Sequence, residues 1–362
     1  MKRLATLSTV ALCAAAIAAS PHMRTTAKGT SPALQSVGSL AFGPPGILYA
    51  ADQQAAAIYA IELPVGSGKP GTMAIPAIDE KIAGTLGTAA SEITITDLQV
   101  EPKSGNSLIA VMRGKGNDAK PVLMRVDGDG KLSIVSTEGL KFTSVALPNA
   151  PDAQPGQRNN QRTQSVTDMA YQNGRLFVAG LSNEEFSSKL WSFAYPFTEA
   201  DRGTSVEIFH GNHGRLETRS PVYTFVPYTV DGVPSLIAGY LCTPLVKFPI
   251  ASLAPGAKIM GTTIAELGAG NRPIDMIVYK KDGKEFLLMS NTSRGVMKIP
   301  TERFAAQAGI TEPVKTGTAG IGYETIASLT GVQQLDKLDA THAVLIAKSA
   351  AGALNLDVTT LP

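Results

Sequence analysis

The sequence predicts an all-β protein folded as a β-propeller, with six blades and seven as the alternative. Three observations carry this. From about Ala33 onward, apolar runs of four to seven residues alternate with Gly, Pro, Asn and Asp, the pattern of many short strands. Long segments of 3.6-residue periodicity are nearly absent. The runs also recur as units whose starts lie roughly 50–70 residues apart, the spacing of propeller blades. A single four-stranded sheet cannot cover both of its faces, whereas radial stacking buries them and leaves short edges. At 362 residues and 44% hydrophobic, the chain can fill such a core.

Six units follow in order. The first, 37–63, opens with Ser39-Leu40-Ala41-Phe42, turns through Gly43-Pro44-Pro45-Gly46 and continues as Ile47-Leu48-Tyr49-Ala50-Ala51 before a polar loop and a third strand. The second, 95–126, turns at Ser104-Gly105-Asn106, and the third, 166–193, at Asn173-Gly174. The fourth, 222–250, turns at Asp231-Gly232, and the fifth, 273–299, at Asp282-Gly283. A weaker sixth, 332–358, turns at Asp339-Ala340. Fourth strands are fainter, as at 131–135 and 205–209. The last unit shows three strands, and 27–36 is expected to supply its fourth and close the ring. A seventh unit has room only in the connections 66–91 and 137–164, the latter rich in Pro, Asn and Gln and read as an exposed loop. One short helix is expected at 301–308, where Thr301-Glu302-Arg303 would cap it.

The phrase Leu40-Ala41-Phe42-Gly43-Pro44, followed by Gly46-Ile47-Leu48-Tyr49-Ala50-Ala51-Asp52, resembles secreted bacterial β-propellers of the gluconolactonase-like, NHL-like and YVTN-type groups. The resemblance spans nearly the whole chain after its N-terminal segment and implies an architecture, not one activity. The Glu, Asn and Asp ligands expected of gluconolactonase-like enzymes have no matching set here. Quinoprotein alcohol dehydrogenases resemble this architecture too, but their repeated Trp motifs and adjacent cysteines are missing. Trp191, the only tryptophan, sits mid-strand in SKLWSF. No Cys-x-x-Cys-His occurs, which excludes covalent c-type haem.

Met1-Lys2-Arg3 is a short positive start, Leu4 to Ala19 is mostly apolar, and Ala16-Ile17-Ala18 offers small residues to a signal peptidase. This predicts a signal peptide over 1–19 and a single propeller domain over 20–362, periplasmic or secreted, with no membrane span in the mature chain. Leu12 before Cys13 argues against lipoprotein processing. Loss of Cys13 leaves Cys242 as the one cysteine, so no internal disulfide can form. A lone thiol in an oxidising compartment is buried, ligates a metal, catalyses or bonds to another chain, and burial is the simplest account. The 32 basic and 30 acidic residues are dispersed, with no Lys/Arg run, which argues against a nucleic-acid partner.

In a propeller, the loop entering each inner strand and the loop between the second and third strands open on one face, where binding residues gather. Aligning the units places Ser39, Asp97, Asp168, Thr224, Asp275 and Gln334 at one ring position. Asp97, Asp168 and Asp275 are read either as oxygen ligands for a hard cation such as calcium or as acceptors that fix turns. The entering loops add His210, His213, Glu217, Asn271 and Arg272. The loops between second and third strands add Asp52, Asn183, Glu184, Cys242, Asn291, Arg294 and Lys348.

Three chemistries compete at this mouth. His210-Gly-Asn-His213 with Glu217 or Cys242 supplies three metal ligands and leaves a position for water. Thiolate with imidazole suits copper or zinc, and a carboxylate in place of the thiolate suits zinc or iron. Alternatively, Cys242 is a nucleophile, His210 or His213 its base, and Asn271 or Asn291 orients the base or binds an oxyanion. Third, the backbone of 266–273, Arg272 and Arg294 hold a carboxylate or phosphate. Hydrogen-bonded turn residues are the plain account of each. The function expected is a small-molecule or metal-ion site at the channel mouth of a hydrolase, lyase or redox enzyme. The alternative is a non-catalytic propeller presenting a rigid disc to an exported protein partner.

Overall fold

The computed structural model describes residues 26–68, 74–154, 160–242, 244–315 and 317–362, so the expected signal peptide lies outside the described residues. Six sheets stand around a central axis as a six-bladed β-propeller. Numbered by the chain order of their inner strands, the blades begin at Leu40–Phe42, Ile93–Val100, Asp168–Gln172, Val222–Val230, Pro273–Lys281 and Val332–Lys337. Each second strand lies between two others and is covered on both faces. It therefore reads as a continuous apolar run rather than an alternation, as in Ile47–Asp52, buried at every residue.

The blades do not follow chain order around the ring. Blade 1 makes its first three strands, Leu40–Phe42, Ile47–Asp52 and Ala57–Glu62, and its fourth, Lys141–Ala146, arrives only after the whole of blade 2. Blade 2 sits between blades 1 and 6, and blade 1 meets blade 3 on its other side, so the spatial order is 1-3-4-5-6-2. Each of the six junctions has its own apolar cluster. Trp191, Tyr49, Val145 and Val178 join blades 1 and 3; Leu98, Val111, Val344 and Leu356 join blades 2 and 6.

Several expectations are corrected. The segment 27–36 does not complete blade 6: Thr26–Thr30 pairs with Lys141–Ala146 at the outer edge of blade 1, and blade 6 keeps three strands. Its outer edge is met instead by Ile75, bridged to Leu356, and by the helix Ile78–Leu86. That helix falls in 66–91, and 137–164 holds the fourth strand of blade 1, so neither connection holds a seventh blade among the described residues. Residues 301–308 form turns, not a helix, because the chain here bends away toward blade 4, where Ile310 N donates to Thr263 O. Thr318–Gly320 then adds an edge strand to blade 4 before Glu324–Thr325 returns to blade 5.

Trp191 is buried and lies against Gly203, whose φ is +63° and where a Cβ would come within 2.6 Å of the indole. Gly203→Ala combines overpacking with a left-handed backbone, together about 2 kcal/mol or more. We expect a lower denaturation midpoint and a red-shifted native emission from Trp191. An unchanged midpoint would contradict the packing of this junction.

Candidate functional site

The outer strand of blade 3, Thr204–His210, pairs with the third strand only at Lys189 and Leu190 and then runs on past the blade edge. It turns through Gly211-Asn212-His213-Gly214 and returns as Arg215–Glu217. The ribbon is docked on blade 4 by hydrogen bonds that include Gly261 N to Glu207 O and Thr263 Oγ1 to Phe209 O, and Val314 N, in the connection after the third strand of blade 5, donates to Gly211 O. This brings it over the loop between Val233–Tyr240 and Pro244–Pro249, which carries Cys242.

His210, His213 and Cys242 converge there, each offering a ligand atom within 4.8 Å of the other two. The imidazole rings stack at 3.8 Å between centroids. His210 is fully buried, Cys242 half-buried, and the His213 side chain 38% exposed, so the cluster has one side toward solvent. Cys242 takes φ +61°, a left-handed conformation uncommon for a residue with a Cβ.

Glu217 lies beside the cluster, against the Nδ1 atoms of both imidazoles. Its Oε2 meets His210 Nδ1 at 3.0 Å and its Oε1 meets His213 Nδ1 at 2.6 Å. Ser220 Oγ donates to the same carboxylate at 2.8 Å. Burial pushes its pKa up, but hydrogen bonds from both imidazoles and Ser220 outweigh that and hold it well below the usual range. An ionised Glu217 accepts from both Nδ1–H groups, so both Nε2 lone pairs are left for a ligand. Glu217 thus spans the two imidazoles, one carboxylate oxygen on each Nδ1.

The sequence reading missed Glu266. It is buried, and its Oε2 stands 3.9 Å from His210 Nε2, an atom with no hydrogen-bond partner among the described residues. Gly211 N donates to Oε1 at 2.6 Å and Asn212 Nδ2 to Oε2 at 2.8 Å. Burial raises its pKa, with His210 and the Gly211 N–H opposing. The signal was a charge inside the apolar strand Thr262–Leu267.

Asn271, Asn291, Arg272 and Arg294 neighbour Cys242 but are engaged with the protein. Asn271 O accepts from Cys242 N at 2.7 Å, and Asn271 Nδ2 donates to Asn291 Oδ1 at 3.1 Å, both asparagines being buried. Arg272 stacks on Tyr223 at 5.3 Å, and Arg294 packs over Gly268 and donates to Ala269 O. Asp52 caps the turn at Ala55 and the chain at Gln35 and Ser36. Glu184 pairs with the buried Lys189, Arg202 and Asn149, and Lys348 is exposed.

The ring carboxylates form a second, separate group. Asp168 accepts from Phe225 N of blade 4, Asp275 from Leu335 N of blade 6, and Asp97 from Leu40 N of blade 1. Each also accepts from the N–H of the residue after it. Asp336, not foreseen, does the same with Val100 and Lys337 one pleat further along the strand, where Gln334 occupies the aligned position. Their oxygens thus accept from backbone N–H groups, one on the same strand and one on the neighbouring blade. Asp168, Asp275 and Asp336 line a cavity of about 390 Å³ with Phe42, Tyr171 and Phe225. The lining runs toward the C-terminal ends of the inner strands, away from the loops of His210, His213 and Cys242, and contains none of the three. The His–Cys cluster therefore lies outside this cavity, where the blade 3 ribbon meets the Cys242 loop of blade 4.

No protein-family model and no curated protein matches the chain. Among solved structures it is similar to a glucose dehydrogenase at 10% identity, covering 92% of this chain and 100% of that one, with a TM-score of 0.37. It is also similar to the Drosophila Semaphorin 1b extracellular domains at 9% identity, covering 93% and 86%, with a TM-score of 0.33. An engineered GH43 glycoside hydrolase aligns at 11% identity over 75% of this chain, with a TM-score of 0.36, and this chain spans about half of its length. These likenesses assign no site residue.

Burial in the channel raises Asp168 and Asp336 from 3.8 to about 6, against the pull of their N–H donors. Asp97 and Asp275 rise further, burial again leading and neighbouring carboxylates adding. The folded protein thus binds more protons than the unfolded chain between pH 3.8 and about 6, and stability is lost as pH rises through that window. Metal-free protein should melt several degrees higher at pH 5 than at pH 7.5, and Asp275→Asn should flatten the difference. A melting temperature that falls from pH 7.5 to pH 5 would overturn this.

Proposed function

We propose that the chain is an exported metal-binding β-propeller, and that His210, His213 and Cys242 hold one divalent transition-metal ion that acts as a Lewis acid on a small molecule. The observation that carries this is the convergence of three ligand atoms within 4.8 Å, with both Nδ1 atoms engaged by one carboxylate. Chance histidine pairs do not come with their tautomers set. Thiolate and imidazole donors match zinc and copper, and a hard cation such as calcium is a poor fit. Solvent reaches the cluster from the His213 side, so an oxygen of a small substrate approaches there. A zinc ion can take it as an added ligand and polarise its carbonyl or phosphoryl bond.

Protein purified without chelators should contain one zinc or copper ion per chain. His210→Ala and Cys242→Ser should each lose it, with the propeller still folded by circular dichroism. Protein lacking stoichiometric metal, and unable to take up zinc or copper after reduction, would sink the reading.

Glu217→Gln tests the orienting role. A glutamine presents one acceptor and one donor, so it cannot hold both imidazoles as Nδ1–H tautomers. Metal affinity should fall about 10–100-fold, measured by competition with a chromogenic chelator. An unchanged affinity would remove Glu217 from the site.

A further inference from the structure

We infer that Arg272 and Arg294 form an oxyanion-binding site beside the cluster, which takes a carboxylate or phosphate group and makes the substrate a small organic anion. The substrate class rests on the metal reading above; the anion site itself stands without the ion.

One buried side chain ties three loops together. Asn271 O accepts from Cys242 N at 2.7 Å, Asn271 Nδ2 donates to Asn291 Oδ1 at 3.1 Å, and Asn271 Oδ1 accepts from Ser293 N at 3.0 Å. Thr292 N also donates to Arg272 O, and Arg272 N to Thr292 Oγ1, both at 3.0 Å. The Cys242 loop of blade 4 is thus joined to the 268–272 loop that enters blade 5 and to the 291–295 loop of blade 5. Each of the two blade 5 loops carries an arginine. Arg272 directly follows the carbonyl that holds the Cys242 amide, and Arg294 lies two residues past Thr292. Tyr223, on which Arg272 stacks, is at the same end of blade 4: Val222 pairs with Tyr240, and Ser220 reaches Glu217.

Both guanidinium groups are placed but not neutralised. Arg202 and Arg215, also exposed, each meet a carboxylate. Among the described residues no carboxylate pairs with Arg272 or Arg294. Arg272 lies 5.3 Å from the centre of the Tyr223 ring. Such a stack uses the face of the guanidinium and leaves its in-plane N–H donors for an oxyanion. Arg294 fills the space over Gly268, where φ is +116° and a Cβ would lie 2.4 Å from its Nε and Cζ. Its Nη2 donates to the neutral Ala269 O only at 3.4 Å, a long bond that leaves the charge unmatched. An aromatic face and a glycine notch therefore hold two forks suited to carboxylate or phosphate. The acceptors Glu217 and Glu266 on the other flank of Cys242 repel an anion, so one that approaches the cluster is drawn from the arginine side.

Isothermal titration of the full chain with inorganic phosphate, and separately with acetate, reads this site in metal-free and zinc-loaded protein. Metal-free wild type should bind at least one of the two saturably, and zinc should tighten the binding. Arg272→Gln and Arg294→Gln should each weaken it about tenfold or more, with zinc content and circular dichroism unchanged. Lys103→Gln, on the exposed hairpin of blade 2, should bind as wild type does. Binding of neither anion, binding that both arginine variants keep, or equal weakening by Lys103→Gln overturns the anion site, while the metal reading stands on its own zinc content. If zinc binds but leaves anion affinity unchanged, the substrate class falls. Anion binding that depends on the arginines, in a chain that takes up no metal, keeps the anion site and sinks the metal reading.

Discussion

The propeller depends on a buried hydrogen bond that crosses from each of four inner strands to the next blade. Asp168, Asp275, Asp336 and Asp97 each place one carboxylate oxygen on their own strand and the other on a neighbour's N–H, at 2.5–2.9 Å. All four cross in the same sense around the ring. Hydrogen bonds to a charged acceptor contribute about 1.5–3 kcal/mol each, but the same carboxylates repel one another and lose solvation. The sum is limited by that repulsion. Ser39 and Thr224, uncharged at the aligned positions, contribute hydroxyls to Asp168 instead of two more charges.

Against this inner ring, the outer edges are joined by a different device. The connection between a third and a fourth strand repeatedly visits another blade before returning. From blade 1 it supplies Ile75 to blade 6 and builds blade 2 on the way. From blade 4 it lends Lys258–Met260 to blade 3, and from blade 5 it lends Thr318–Gly320 to blade 4. Each loan covers an edge that would otherwise expose unpaired N–H and C=O groups. The His–Cys cluster is a product of this lacing. The ribbon carrying His210 is the overrun of a blade 3 strand that finds its hydrogen-bond partners on blade 4.

This explains what could be read from the residues and what could not. Strand runs and turns were legible because alternation and Gly or Asp punctuation are local. Blade order was not, because Lys141–Ala146 reads as one more polar-flanked strand and carries no mark of belonging to the blade begun at Leu40. The meeting of His210 and His213 with Cys242 followed from the face on which their loops open. That Glu217 would meet both imidazoles through their Nδ1 atoms was not legible, because spacing is blind to which ring nitrogen a carboxylate reaches. Asp336 was missed because the bond it makes is shifted one pleat from the aligned position.

The Cys242 turn shows how positioning is divided. A left-handed backbone at a residue with a Cβ costs about 1–2 kcal/mol, so something must hold it. Its N–H is fixed by Asn271 O, and Asn271 is locked to Asn291 and to Ser293 N. The two asparagines and the glycine-rich stretch beside them thus set the sulfur's position, while Glu217 sets the imidazoles. Neither group needs to touch a ligand to be required. Around the two imidazoles lie Glu217, Glu266 and Cys242, and among the described residues the exposed Arg215 is the fixed positive charge that meets Glu217, at 3.4 Å. An arrangement so rich in acceptors and so poor in cations is what the metal reading proposed for His210, His213 and Cys242 builds on.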